Sequence, residues 1–151
     1  MAQLTLHSPV GELTLSEDEG VLVSLDWGRA PVEFQNETAL LREARRQLDD
    51  YFDGRRKSFD LPLGPAGTVY QQRVWAAMQQ IPAGATRTYG DIANELKSAA
   101  RAVGMACGAN PIPIIIPCHR VLASGNRLGG YSGDGGAETK AALLRLEGAL
   151  L

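Results

Sequence analysis

A cysteine and a histidine are adjacent in the last third of the chain, as Cys118 and His119 within the tetrapeptide 117–120 (PCHR). A thiolate is a strong nucleophile, and a neighbouring imidazole that accepts the thiol proton is one way to generate it. The only other histidine is His7, near the start of the chain. An apolar run, residues 112–116, precedes the pair and predicts a buried strand that ends at Cys118. The pattern therefore predicts a cysteine nucleophile activated by His119.

Composition is that of an ordinary globular chain: 151 residues, 44 % hydrophobic and 21 % charged. This length accommodates one full domain or two small ones. No run approaches the roughly 18 apolar residues that span a bilayer, and no basic segment followed by an apolar core opens the chain. We therefore expect a cytoplasmic protein without a membrane partner.

The two cysteines, Cys107 and Cys118, and the two histidines are too few for a zinc cluster, so we expect no metal site. One disulfide between the cysteines is chemically feasible. The absence of a visible secretory segment instead favours a reducing compartment and two free thiols.

The net charge of −2 is unevenly distributed along the chain. Residues 1–67 carry seven Lys and Arg against twelve Asp and Glu, whereas residues 68–130 carry six against two. The central segment is therefore a basic region on an acidic protein, a distribution that suits an anionic partner such as nucleic acid. An uneven surface without functional meaning explains the charges equally well when they are considered alone.

The N-terminal part predicts a small α/β domain, residues 1–62, in a supporting role. Three runs with strand patterning are residues 3–6, 11–15 and 21–27. A helix capped by Asn36 or Thr38 comes next. Its apolar residues recur at helical spacing: Leu40, Leu41, Ala44, Leu48 and Tyr51. Residues 61–67 hold two prolines and two glycines and predict a linker.

The C-terminal part, residues 68–151, predicts mainly helices. A first helix begins after Thr68 and ends before Pro82. Two short helices, residues 89–96 and 99–109, have the lengths and apolar spacing of a helix-turn-helix. A last helix begins at about Ala137. The glycine-rich segment before it, residues 129–136, is expected to form a flexible wall of the site.

The second helix of this pair has alanine or glycine at most positions and a single long cation, Arg101. A major-groove reader carries several long polar side chains, whereas small side chains permit close approach to a narrow groove. Arg101 is then the only probe of the groove. A tightly packed internal helix is the alternative, and the helix considered alone slightly favours it.

Residues 110–121 resemble the sequence around the acceptor cysteine of the O6-alkylguanine-DNA alkyltransferases, also called methylated-DNA–protein-cysteine methyltransferases. The resemblance covers most of residues 68–148 in the family's order. The further matching segments are residues 72–75, 88–93, 99–104, 130–133 and 143–148. The N-terminal strands and residues 47–54 resemble the family's variable first domain less strongly.

The resemblance implies an α/β (α+β) fold, with an N-terminal RNase H-like domain of antiparallel sheet plus helix and a C-terminal winged helix-turn-helix domain. It implies binding of duplex DNA in the minor groove and rotation of an alkylated guanine out of the stack. The O6-alkyl group then moves irreversibly to Cys118, so each molecule repairs one lesion. O4-alkylthymine is a further possible substrate. No cofactor is implied, and we expect a monomer, with cooperative assembly on DNA left open.

The resemblance assigns catalytic roles to Cys118, His119, Glu147 and Asn110. Consecutive side chains in an extended segment point to opposite faces, so we expect a water between Cys118 and His119. Glu147 orients the imidazole, which gives a relay similar to a hydrolase triad. Asn110 ties the DNA-contacting helix to the active-site segment.

Other positions are implied to contact the substrate. The pocket residues are Tyr89, Val121, Tyr131 and Ser132, with Tyr89 donating a proton to the departing guanine. The DNA-contacting residues are Arg101, which fills the space of the rotated base, and Tyr70, Gly90, Ser98, Ala102 and Ser124. Two departures from the family are Gly108, where several relatives carry arginine, and residues 134–136, which lengthen the pocket wall by about two residues.

Two other functions fit part of the pattern. One is a lesion-binding relative or winged-helix regulator without catalysis, although such family members lack the acceptor cysteine that is present here as Cys118. The other is a cysteine hydrolase acting on acyl substrates, which a Cys/His/Glu set supports in isolation. The helix-turn-helix and the basic central segment disfavour the hydrolase.

Overall fold

The computed structural model describes residues 1–131, 133 and 135–150, and it divides into two compact units. The first unit is Met1–Ala66, and the second begins at Gly67. None of the described helices is long and apolar enough to cross a membrane.

The first unit contains an antiparallel sheet of three strands in sequence order, β1 (Ala2–Ser8), β2 (Gly11–Asp18) and β3 (Val21–Trp27). The strands pair in a register that places leucines opposite one another, as at Leu4 with Leu15. These leucines are buried, and burying one such side chain contributes about 2 kcal/mol. The predicted strands and their antiparallel order are therefore confirmed.

Helix α1 (Ala39–Phe52) completes this unit and buries Leu41, Ala44, Leu48 and Tyr51. Of the two predicted caps, Thr38 is the one used, because its hydroxyl oxygen accepts a hydrogen bond of 3.1 Å from the Leu41 amide. A 3-10 turn, Val32–Phe34, connects β3 to α1.

The second unit is mainly helical. Its elements are α2 (Val69–Gln79), β4 (Arg87–Thr88), α3 (Tyr89–Leu96), α4 (Ala100–Gly108), β5 (Val121–Leu122) and α5 (Ala137–Leu146). Strands β4 and β5 pair in parallel. Helices α2 and α3 both start with a capping box, formed by Thr68 with Gln71 and by Thr88 with Asp91.

Helices α3 and α4 form the predicted helix-turn-helix. The turn is closed by a left-handed residue, Lys97, and by the Ser98 amide, which donates to the Ala93 carbonyl at 2.8 Å. Helix α2 supports α4, since the buried Trp75 indole donates to the Ala106 carbonyl at 2.8 Å. One face of α4 is buried and Arg101 on the other is exposed, so α4 is not an internal helix.

The apolar run 112–116 is not the strand that its composition predicts. It forms a compact buried turn, in which the Ile116 amide donates to the Ile112 carbonyl at 2.9 Å. Two prolines, Pro113 and Pro117, lack the amide hydrogens that a ladder requires. Ile114 has a positive φ of 74°, a strained conformation for a β-branched residue.

The segment that carries the cysteine is also not extended. Cys118–Arg120 forms a 3-10 turn that leads directly into β5. The expectation that successive side chains alternate between two faces at Cys118 and His119 is therefore wrong, because the backbone turns at this point.

Candidate active site and nucleic-acid interface

The second unit contains a cavity of about 380 Å³ with the Cys118 side chain in its wall. The residues that line it are Tyr89, Gly104, Cys107, Gly108, Cys118, Gly130 and Tyr131. They come from the start of α3, from α4, from the turn before β5 and from the glycine-rich segment. A cavity of this size, with two tyrosines and a thiol, can hold a flat aromatic ligand against the sulfur.

Cys118 is only 4 % exposed, and its burial governs its protonation. Burial raises the pKa of the thiol, while a hydrogen bond from Asn110 and the positive charge of Lys140 lower it in part. The resting group is therefore a neutral thiol, and a base must accept its proton before it attacks a carbon atom.

His119 and Glu147 form a buried pair beside this cysteine, with 2.7 Å between His119 Nε2 and Glu147 Oε2. Because a carboxylate accepts hydrogen bonds, Nε2 carries the proton and Nδ1 has the free lone pair. In the described part of the chain, Nδ1 has no protein hydrogen-bond partner. Burial lowers the pKa of His119 despite the opposing effect of Glu147, so the imidazole is neutral and available as a base.

Arg120 fixes the orientation of Glu147, a role that sequence reasoning missed. Arg120 Nε donates to Glu147 Oε1 and Arg120 Nη2 donates to Glu147 Oε2, both at 2.9 Å. The remaining amino group donates to the Ile81 carbonyl at 2.6 Å. Only arginine offers this two-pronged geometry to a carboxylate. The motif contained Arg120, but spacing along the chain did not indicate a partner 27 residues away.

Asn110 connects the end of α4 to the turn that leads to Cys118. Its amide nitrogen donates to the Ile116 carbonyl at 2.8 Å, and its side-chain oxygen accepts from the Ile112 amide at 2.9 Å. Both bonds are buried. The turn is not part of a sheet, so its backbone groups lack strand partners. The Asn110 side chain pairs with two of them, the Ile116 carbonyl and the Ile112 amide, which would otherwise be unpaired in the core.

Lys140, on α5, is the second residue that the sequence analysis did not identify. Its ammonium is buried and donates to the carbonyls of Val121 at 2.7 Å and Gly130 at 3.1 Å, and also to that of Leu128. It lies 5.8 Å from the centre of the Tyr89 ring. The cation therefore joins β5 to the glycine-rich wall of the cavity.

The predicted pocket residues are distributed as follows. Tyr89 and Tyr131 line the cavity, and burial raises the pKa of both phenols, that of Tyr89 to about 12. Both phenols therefore stay protonated and can donate hydrogen bonds at neutral pH. Val121 is buried, and its carbonyl binds Lys140. Ser132, like Asp134 of the lengthened wall, lies outside the described residues.

The predicted DNA-contacting residues lie on the helix-turn-helix and its neighbours. Arg101 is exposed near the start of α4, and Ala102 beside it is partly exposed. Tyr70 and Ser98 contact one another through their hydroxyls at 2.9 Å, which links α2 to the turn before α4. The two remaining residues are Gly90, partly exposed in the first turn of α3, and Ser124, exposed after β5.

Within the ranges described, no group of three His, Cys, Asp or Glu residues is arranged to hold a metal ion.

A buried cysteine and a buried histidine–glutamate pair therefore lie in a unit that has the helix-turn-helix architecture of a DNA-binding domain. Two family profiles cover nearly the whole chain. Residues 69–149 match the 6-O-methylguanine DNA methyltransferase DNA-binding domain, and residues 1–65 match the ribonuclease-like domain of the same family. The chain belongs to the 6-O-methylguanine DNA methyltransferase family, which also bears out the fold predicted from the resemblance.

Similar proteins carry a consistent name. The methylated-DNA–protein-cysteine methyltransferase of Methanosarcina acetivorans is 45 % identical over 94 % of this chain and 95 % of its own. The constitutive enzyme of that name from Bacillus subtilis is 44 % identical over 95 % and 93 %. A crystal structure of Mycobacterium tuberculosis OGT in complex with DNA aligns with a TM-score of 0.88 at 43 % identity, over 99 % of this chain and 94 % of that one.

Proposed function

We propose that this protein repairs DNA by direct reversal, taking the alkyl group from O6-alkylguanine onto Cys118. One observation carries the assignment to this residue: Cys118 lies in the wall of a cavity of about 380 Å³, beside the buried His119–Glu147 pair. Membership of the methyltransferase family supplies the reaction class, alkyl transfer to a protein cysteine.

The thiol proton leaves first. His119 is neutral and its Nδ1 is an acceptor, so it takes the proton of Cys118 and becomes an imidazolium. Glu147, held by Arg120, stabilises that cation through the 2.7 Å contact to Nε2. The resulting thiolate is the nucleophile.

The transfer is a displacement at the alkyl carbon. The sulfur–carbon bond forms while the bond between that carbon and guanine O6 breaks, and the electron pair passes into the purine ring. Tyr89, which burial keeps protonated, donates a hydrogen bond or a proton to the departing guanine. The product on Cys118 is a thioether. The relay cannot hydrolyse it because a thioether has no acyl carbonyl, so each molecule acts once.

The target carbon lies within the duplex, and the base must rotate out of the stack at a cost of about a few kcal/mol. Helix α4 is the proposed minor-groove element, because its exposed surface is made largely of alanine and glycine. Arg101 fills the space that the base leaves. We propose a cytoplasmic monomer acting on duplex DNA.

Intact-protein mass after incubation with duplex DNA containing O6-methylguanine tests the proposal. We expect a stoichiometric gain of one methyl group that disappears in Cys118→Ala and persists in the matched control Cys107→Ala. Lesion binding without a mass change would instead identify a non-catalytic binding protein. Repeated turnover of a thioester substrate would identify a hydrolase.

A further inference from the structure

The exposed surface of α4 carries a second long side chain besides Arg101. Met105 is 71 % exposed, although it lies within the helix and is surrounded by small residues. The small neighbours that share the accessible surface are Ala102, Gly104, Gly108 and Ala109. A single flexible apolar side chain therefore projects from a surface that is otherwise nearly smooth.

The fold does not require an apolar residue at this position. Helix α4 packs into the unit through Val103, Ala106 and Cys107, which are buried. Lone exposed apolar side chains are common and need no explanation by themselves. The location of Met105 distinguishes it: it follows Gly104, which lines the cavity, and lies four residues after Arg101.

Residues four apart share one face of an α-helix. Arg101 and Met105 therefore project toward the same partner, and that partner is DNA if α4 is the DNA-contacting helix, so the inference depends on the proposed function. Four residues advance a helix by about 6 Å. Met105 therefore contacts the DNA at a point displaced from the contact of Arg101.

We propose that Met105 is a second probe of the minor groove, packing against the sugar and base edge of a nucleotide that flanks the lesion. Methionine is one of the side chains that proteins insert as apolar wedges in the minor groove. Its unbranched thioether adapts to irregular surfaces. Such a contact resists closure of the gap left by the rotated base, without reading the sequence.

An apolar wedge and a cation respond differently to salt. Charged contacts release counterions, so their contribution falls as salt concentration rises, whereas an apolar contact has no such dependence. Met105 variants should therefore weaken binding equally at all salt concentrations. Loss of Arg101 should reduce both the affinity and the salt dependence.

The test measures the affinity of Cys118→Ala protein for duplex DNA containing O6-methylguanine, across a salt series. Adding Met105→Ala or Met105→Gln should weaken binding by about tenfold with an unchanged salt slope. Glutamine has similar length and helix propensity, so it tests apolarity alone. Met105→Leu should stay near the parent affinity. The matched control is Val32→Ala, a similarly exposed apolar residue of the other unit, and it should have no effect.

If Met105→Ala and Met105→Gln both bind DNA as tightly as the Cys118→Ala parent protein, the proposal that Met105 acts as a wedge is wrong. A changed salt slope in Met105→Ala would also overturn it. Arg101→Ala separates this outcome from failure of the proposed function, since it should lower the slope by about one. If neither Met105 nor Arg101 variants alter binding, and the protein with Cys118 gains no methyl group, the proposed function itself fails.

Discussion

Arg120 and Glu147 form a buried pair joined by two hydrogen bonds of 2.9 Å, and the same carboxylate contacts His119 at 2.7 Å. The glutamate therefore has one orientation, which fixes both the position and the tautomer of the imidazole. A carboxylate shared in this way links the stability of the unit to the geometry of its proposed base.

Replacing Arg120 separates its charge from its shape. Arg120→Lys keeps the charge but cannot donate two parallel bonds, and we expect the single-turnover alkylation rate to fall roughly tenfold, as when an orienting group is lost. Arg120→Met leaves a buried carboxylate without its cation and should lower the free energy of unfolding by about 3 kcal/mol. Rapid-quench assays and urea denaturation measure the two effects.

The control is Arg87→Lys, since Arg87 pairs with Glu95 at the surface at 2.8 Å. It should change neither the rate nor the stability, because exposed pairs contribute little. An alkylation rate in Arg120→Lys equal to that of the parent would show that the two-pronged geometry is dispensable.

Stability should fall toward both acid and alkaline pH. The folded pKa of His119 lies below its ordinary value of 6.5, so the unfolded chain binds this proton more readily and stability is lost as pH falls below about 6.5. The folded pKa of Cys118 lies above 9.0, so stability is lost as pH rises through that value. Urea denaturation between pH 5 and pH 10 measures both slopes.

Two variants test which residue causes each loss of stability. His119→Gln should reduce the loss of unfolding free energy at acid pH (the acid limb of the pH profile), and Cys118→Ala should reduce the loss at alkaline pH (the alkaline limb). Acid and alkaline limbs that are identical in all three proteins would contradict the assignments. His7→Gln, at an exposed residue of the other unit, is the control for the acid limb.

Removing the Lys140 ammonium should disturb the cavity wall. Lys140→Met leaves the carbonyls of Val121, Leu128 and Gly130 without this donor, and we expect a loss of about 2 kcal/mol in unfolding free energy. Alkylation should slow as well, because Gly130 and Tyr89 line the cavity. Lys57→Met, at an exposed lysine, is the matched control and should affect neither measurement.

Gly104 of α4 should control the size of the alkyl group that the cavity accepts. Gly104 lines the cavity, and a Cβ there would meet no atom within 4 Å. Gly104→Ala should add up to about 1 kcal/mol of helix stability. Gly104→Leu should fill the space and slow reaction with free O6-benzylguanine far more than with free O6-methylguanine. Equal rate losses for the two bases would exclude a role in size selection.

Periodicity was sufficient for most of the fold. Alternation along residues 3–6 and 11–15 and the apolar spacing around Leu48 predicted the observed strands and helix, because these segments bury one face. The run 112–116 misled, since its apolar character reports burial and does not separate a strand from a turn rich in proline. The 3-10 turn at Cys118 was missed for the same reason, because the predicted strand was extended to that residue.

The residues around the proposed base were only partly predictable. Lys140, Leu143, Leu144 and Glu147 recur at the spacing of one helical face, so the position of Lys140 on the buried side could have been read from the sequence. Its carbonyl partners could not, because Val121 lies in a strand of only two residues, and Leu128 and Gly130 lie in a segment without periodicity. The Arg120 pair likewise depends on a contact between distant elements.

The proposed reaction consumes its acceptor thiol, so that thiol must be protected from other electrophiles in solution. Cys118 is 4 % exposed and burial raises the pKa of its thiol, so small oxidants and alkylating agents in solution should react with it slowly. Reagents such as iodoacetamide should therefore modify the native protein slowly. Selectivity in the proposed reaction then depends on access, because only a reactant that fits the cavity beside Cys118 reaches the sulfur.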